Sequence, residues 1–149
     1  SDVRYGSTQM PDVTARPDGS LAPVPETMWL VGGTFHADKT LDIYAYAGSE
    51  DVRSKTYALP STSAVGYGTL PGSNNAGCLV EGGACSALNK TVDQYTGGLW
   101  WKFYNGSFGQ ARWGVQYSYT ERKAFAGAVG IAPKATENML FTSFRFYPF

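Results

Sequence analysis

Charge is what this sequence has least of. Only 16% of its 149 residues are Asp, Glu, Lys or Arg, against about 25% in an average soluble domain. Twelve acids balance twelve bases, so no basic footprint for nucleic acid exists and nucleic-acid binding is not expected. No stretch approaches the roughly 18 consecutive apolar residues of a membrane-spanning helix. The chain also opens without a basic segment followed by an apolar run, so no uncleaved secretory signal is visible.

The chemistry of catalysis is equally sparse. The single histidine, His36, ends an apolar run and reads as structural. No G-x-S-x-G, H-E-x-x-H, phosphate-loop or EF-hand spacing occurs. Asp42, Glu81, Asp93, Glu121 and Glu137 offer carboxylates, but their spacing selects no glycosidic pair. The expectation is a non-enzyme without a cofactor or a metal. Asn89 and Asn105 begin N-x-S/T sequons, taken here as coincidental.

Cysteine occurs only as Cys78 and Cys85, in GCLVEGGAC. With Gly around them and no His within reach, a disulfide is expected rather than a metal site. Closing a loop of that size contributes about 2.5 kcal/mol by chain entropy, and it implies an oxidising compartment.

What the chain has in quantity is aromatics, glycine and proline. Ten Tyr, eight Phe and four Trp accompany eighteen Gly and eight Pro. Such a mixture of strand formers and turn formers predicts an all-β fold. Residues 1–27 read as a Pro-rich arm or loop. From Met28 the pattern predicts strands at about 28–37 and 41–48 around a tight turn near Asp38, then a long disulfide-stapled loop at 49–94. A hairpin follows: strand 95–104, a turn at Asn105-Gly106, and a strand over 109–121. A second long connection, 122–136, leads to a terminal strand from about Glu137.

Alternation sharpens this reading. Along 109–121 the odd positions are Gly109, Ala111, Trp113, Val115, Tyr117 and Tyr119, and the even ones Gln110, Arg112, Gly114, Gln116, Ser118 and Thr120. Successive side chains of a strand point to opposite faces, so one face is apolar or aromatic and the other polar. Leu99, Trp101 and Phe103 extend the apolar face on the preceding strand, where Trp100 and Tyr104 make the other face amphipathic. Leu41, Ile43, Ala45 and Ala47 oppose Asp42, Tyr44 and Tyr46 likewise.

A one-sided apolar sheet fits a soluble sandwich with the apolar face inward, or a transmembrane barrel with it facing lipid. Strand length favours the membrane: the run is longer than an ordinary strand of about 5–6 residues and fits a tilted bilayer strand of about 9–11. Aromatics cluster near strand ends, and short and long connections alternate, as in barrels with short periplasmic turns and long external loops.

The chain ends in aromatics, FRFYPF. In this it resembles the C-terminal strands of bacterial outer-membrane β-barrel proteins of the porin-like kind, which close on an aromatic residue with another two positions earlier. Tyr147 and Phe149 match that motif, while Ser143, Arg145 and Pro148 depart from it. The resemblance implies an antiparallel meander of long strands, part or whole of a transmembrane-type barrel, in the outer membrane. It implies a porin-like passive channel or a structural surface protein, with membrane lipid and the barrel-insertion machinery as partners and Tyr147 and Phe149 as the insertion signal. Leu99, Trp101, Phe103, Trp113, Val115 and Tyr117 would then face lipid. Lys102, Gln110, Arg112, Gln116, Ser118 and Thr120 would line the lumen, the basic ones biasing traffic towards anions.

Five clear strands are fewer than the even set, from roughly eight upward, of single-chain bacterial barrels. Missing N-terminal strands, further protomers, or irregular strands at 3–8, 54–60 and 62–68 would make up the count. Two other readings stand beside this one. One is a secreted or cell-surface β-sandwich or barrel that binds carbohydrate or another ligand through Trp100, Trp101 and Trp113. The other is a subunit of an extracellular assembly joined through open strand edges.

Overall fold

The structure is a computed structural model, and it describes residues 10–60 and 63–148. It is all-β, with no helix among the described residues. In chain order the strands are β1 (Val13–Ala15), β2 (Leu21–Pro23), β3 (Glu26–His36), β4 (Leu41–Val52), β5 (Lys55–Ala58), β6 (Ala64–Tyr67), β7 (Asn89–Gly106), β8 (Gly109–Ala124) and β9 (Lys134–Tyr147). The sheets are antiparallel: β1 pairs with β2, β5 with β6, and five long strands form a sheet in the order β3-β4-β7-β8-β9. The expected meander of long strands is therefore present. Among the described residues it does not close into a barrel, because β3 and β9 remain the edges of an open sheet.

The chain divides into two compact units. The first collects residues 1–28, 50–92 and 121–135, and the second residues 29–49, 93–120 and 136–149. Both long connections thus belong to the first unit and both tight turns to the second.

The first unit holds an ordinary core. Val52 is fully buried among Met10, Val24, Val92, Tyr67 and Phe125. The Tyr67 ring meets Phe125 edge-on at 5.9 Å, and its hydroxyl donates to the Asn89 carbonyl at 2.7 Å. That carbonyl sits on a buried residue, which suits a structural asparagine better than a glycan acceptor. Asn75 is buried too; its Nδ2 donates to the Phe125 and Ile131 carbonyls at 2.9 and 3.2 Å, fixing the second long connection. Cys78 and Cys85 are joined as a disulfide.

Several expectations change here. The 1–27 arm contains the β1-β2 hairpin and the start of β3, closed by Asp18 accepting from the Ser20 N–H at 2.9 Å with Gly19 at φ 81°. The 49–94 segment is not loop throughout, because it holds the end of β4, the β5-β6 hairpin and the start of β7. Residues 89–94 look loop-like because they are polar, but their side chains have cross-strand partners: Thr91 donates to Asp51 at 2.7 Å and Gln94 to Thr120 at 3.2 Å. The irregular strands suggested at 54–60 and 62–68 pair with each other instead of joining the large sheet. Residues 3–8 lie outside the described residues.

The hairpin turn is displaced as well. Asn105 and Gly106 are still strand, and Ser107-Phe108 make the turn before Gly109, whose φ of 118° suits glycine. Gly106 serves another purpose: a Cβ there would come within 2.8 Å of the Tyr104 hydroxyl. The end of β9 lies beside this turn, since a Cβ on Gly109 would stand 3.1 Å from the Pro148 Cα. The C-terminal end thus reaches the short-turn end of the sheet.

Removing two buried methyl groups by Val52→Ala should cost about 2 kcal/mol, measured as a lower denaturant midpoint, whereas Val129→Ala at an exposed site should change stability by less than about 0.5 kcal/mol. Equal effects would refute this placement of the core.

A second expectation concerns acid. Lys123 donates to Glu121 at 2.7 Å and Lys134 pairs with its other oxygen, and these contacts hold the carboxyl down at about 2. A depressed carboxyl stabilises the fold fully above its ordinary value of 4.5 and loses that contribution as pH falls through about 2. Lys134→Gln should therefore raise the Glu121 midpoint in an NMR titration; an unmoved midpoint would show that the pair does not form.

Candidate functional site: a sheet with a polar face and an aromatic face

The strand period sorts the second unit's side chains to two faces, and cross-strand contacts fix the register. On one face Trp113 Nε1 donates to Thr142 Oγ1 at 2.8 Å and the Tyr117 hydroxyl donates to Asn138 Oδ1 at 2.6 Å. Moving four residues up β8 moves four down β9, as antiparallel pairing requires. Trp101 meets Phe103 at 5.7 Å between ring centres, and Phe103 meets Phe144 at 5.9 Å. This is the face that carries Leu99, Trp101, Phe103, Trp113, Val115 and Tyr117. Leu99 and Val115 are half-buried there, whereas the aromatic members are open. Trp113 is 41% and Tyr117 49% exposed, and Leu140 reaches 74%.

The opposite face is a polar layer of separate hydrogen-bonded groups. Lys102 Nζ lies 2.7 Å from Asp42 Oδ2, and His36 Nδ1 lies 2.6 Å from Asp42 Oδ1. The Tyr44 hydroxyl donates to Gln116 Oε1 at 2.9 Å, Gln116 Nε2 donates to Ser118 Oγ at 3.2 Å, and Thr96 and Ser118 share a hydrogen bond of 2.9 Å. Thr120 accepts from Gln94, and Gln110 is half-buried. Asp42 is only 8% and Ser118 only 2% exposed. The usual burial order of a soluble domain is thereby reversed within this sheet.

Glycines on the polar face let rings lie flat across the neighbouring strand. A Cβ on Gly114 would stand 2.6 Å from Trp100 Cε3, and one on Gly98 would stand 2.5 Å from Tyr44 Cζ. Trp100 so placed receives two cations, with the Arg112 guanidinium carbon 4.8 Å and that of Arg145 4.5 Å from its ring centre. Arg112 also lies 4.6 Å from the Tyr147 ring centre and donates to its hydroxyl.

Contacts place Lys102, Arg112, Gln116, Ser118 and Thr120 in the polar layer and Trp101, Phe103, Trp113 and Tyr117 on the aromatic face, while Gln110, Leu99 and Val115 are assigned by strand period alone. Tyr147 takes the polar face beside Arg112, and Phe149 lies outside the described residues. Alternation alone assigns Asp42, Tyr44 and Trp100 to the side opposite the apolar face, but their contacts there, with Lys102, Gln116 and the two arginines, have no local signal. Arg145 stands out in the sequence only as a departure from a family pattern, although its parity with Tyr147 is the available signal. Trp100 is turned away from Trp101 and Trp113, so the three indoles do not form one platform.

Gly114→Leu should displace the Trp100 ring, destabilise the fold by about 1–3 kcal/mol and change the near-ultraviolet circular dichroism. Gly97→Ala, where a Cβ meets nothing within 4 Å, is the control. Matching outcomes for the two would show that the ring does not rest on Gly114.

Searches against protein-family models, curated proteins and solved structures find no match to this chain.

Proposed function

We propose that the chain forms part of an outer-membrane β-barrel, acting as a porin-like passive channel or a structural surface protein. The segments 29–49, 93–120 and 136–148 cross the bilayer, with the aromatic face towards lipid and the polar layer towards water. One observation carries the reading: this sheet buries Asp42 and Ser118 while leaving Trp113, Tyr117 and Leu140 open. In water such an arrangement forgoes roughly 25 cal/mol for every Å² of apolar surface left uncovered. Against hydrocarbon it is the favourable arrangement.

Two details support it. The polar atoms of Trp113 and Tyr117 are already bonded to Thr142 and Asn138, so covering that face with lipid strands neither donor. Ala45, Ala47 and Gly97 also leave a shallow hollow on it, walled by Val31, Tyr95 and Tyr119, of a kind an acyl chain fills. The open edges of β3 and β9 require partner strands, from elsewhere in the same protein or from other protomers, because hydrocarbon tolerates no unpaired backbone. Insertion would proceed through the barrel-insertion machinery, with Tyr147 and Phe149 as its signal.

The test is partitioning. The protein should enter lipid vesicles or detergent micelles and aggregate without them; a monodisperse chain in plain buffer would end the membrane assignment. Leu140→Arg should weaken folding into bilayers by about 2–4 kcal/mol if the site is near the midplane, read by urea titration in vesicles. A soluble protein would tolerate the same change at so exposed a position.

A further inference from the structure

We propose that the corner of the polar face formed by Arg112, Arg145, Trp100 and Tyr147 is a binding site for a small oxyanion of the phosphate, sulfate or carboxylate class. The inference rests on the reading above only in taking this face to be in contact with water, and it narrows that reading to a solute class.

The corner is assembled from three strands. Trp100 comes from β7, Arg112 from β8, and Arg145 and Tyr147 from β9. Both guanidiniums converge on one indole, at 4.8 and 4.5 Å from its centre. Gly114 beneath the ring is what lets it lie there. Like charges brought together repel, and among the described residues no carboxylate pairs with either arginine. Lys102, on the same face, differs in being matched by Asp42 at 2.7 Å. The face therefore quenches one cation and leaves two together at one corner.

The Tyr147 hydroxyl accepts a hydrogen bond from Arg112 and from Arg145, and each guanidinium has further N–H groups beyond that one. A guanidinium that meets a ring through its face keeps its N–H edge for a carboxylate or phosphate fork. Arg112 Nε is buried and has no acceptor, and an unmet donor on a charged group is costly. An oxyanion at this corner would offset the repulsion and accept from the terminal N–H groups of the two arginines. The geometry disfavours a sugar or a nucleobase, because the indole is already occupied by Gly114 and the two cations.

The protein, refolded in a neutral detergent, should be titrated with inorganic phosphate, sulfate and acetate at low ionic strength, with chloride as the ionic control. Tryptophan fluorescence and calorimetry should show saturable binding of the oxyanions and none of chloride. Arg112→Gln and Arg145→Gln should each weaken binding about tenfold, and Lys102→Gln should leave it within about twofold because that charge is already matched. Near-ultraviolet circular dichroism identical to the parent's would show that each variant is folded. Arg112→Lys, which keeps charge but loses the fork, should bind between parent and Arg112→Gln.

A parallel arm compares vesicles of phosphatidylcholine with vesicles containing phosphatidylglycerol. A response to inorganic phosphate marks a dissolved solute, and an arginine-dependent response to phosphatidylglycerol alone marks a lipid headgroup; either supports an oxyanion site. The absence of both in folded protein, or binding that survives both glutamine substitutions, would overturn it. Insertion scored separately keeps the two readings apart. A protein that inserts but binds no oxyanion loses only the site, and one that binds phosphate but never enters lipid loses only the membrane assignment.

Discussion

The two-residue period of a hydrogen-bonded strand is the constraint on which the rest depends. Once β7, β8 and β9 are paired, every odd and even side chain is committed to a face, and a shift of one residue would exchange the two sets. The cross-strand bonds from Trp113 to Thr142 and from Thr96 to Ser118 lock that choice on opposite sides of the same sheet. The resulting polarity is inverted for a protein in water. The first unit, with Val52 and Phe125 at its centre, shows that the same chain builds a conventional core where its sequence lacks this long alternation.

Glycine gives the polar face its second organising device. A face lined with long polar side chains and rings would be overcrowded if every position carried a Cβ. Gly98 and Gly114 remove one each, and Tyr44 and Trp100 occupy the space across the neighbouring strand. The rings in turn position polar groups: the Tyr44 hydroxyl reaches Gln116, and Trp100 collects Arg112 and Arg145. A single glycine thereby controls side chains on three strands. That coupling gives the face a defined arrangement instead of a set of independently solvated residues.

Much of this was legible in the sequence, and the failures have physical causes. The β7-β8 hairpin and the parity of its faces follow from alternation, which reports local backbone geometry. The start of β7 at Asn89 was invisible because Thr91 and Gln94 look like loop residues until Asp51 and Thr120 are known to lie opposite them. The turn was misplaced by two residues, since Asn105-Gly106 has turn chemistry but Gly106 is needed as space for Tyr104. The short β5-β6 hairpin carries too little periodicity to be assigned a partner in advance. The arginine corner depends on residues far apart in sequence, and no local pattern marks such a meeting.

The open edges bind these features into one requirement. β3 and β9 run for 11 and 14 residues and, among the described residues, are the edges of the sheet, where alternate residues turn an N–H and a carbonyl outward from the ladder. In water those groups are solvated, but in hydrocarbon each unpaired group costs several kcal/mol. Covering the aromatic face with lipid while leaving the edges bare would therefore lose at the edges much of what it gained on the face. Under the proposed membrane reading the two surfaces must be satisfied together, the face by acyl chains and the edges by strands. On this account the five-stranded sheet has no stable existence in a bilayer by itself, and membrane insertion and strand completion are a single cooperative event.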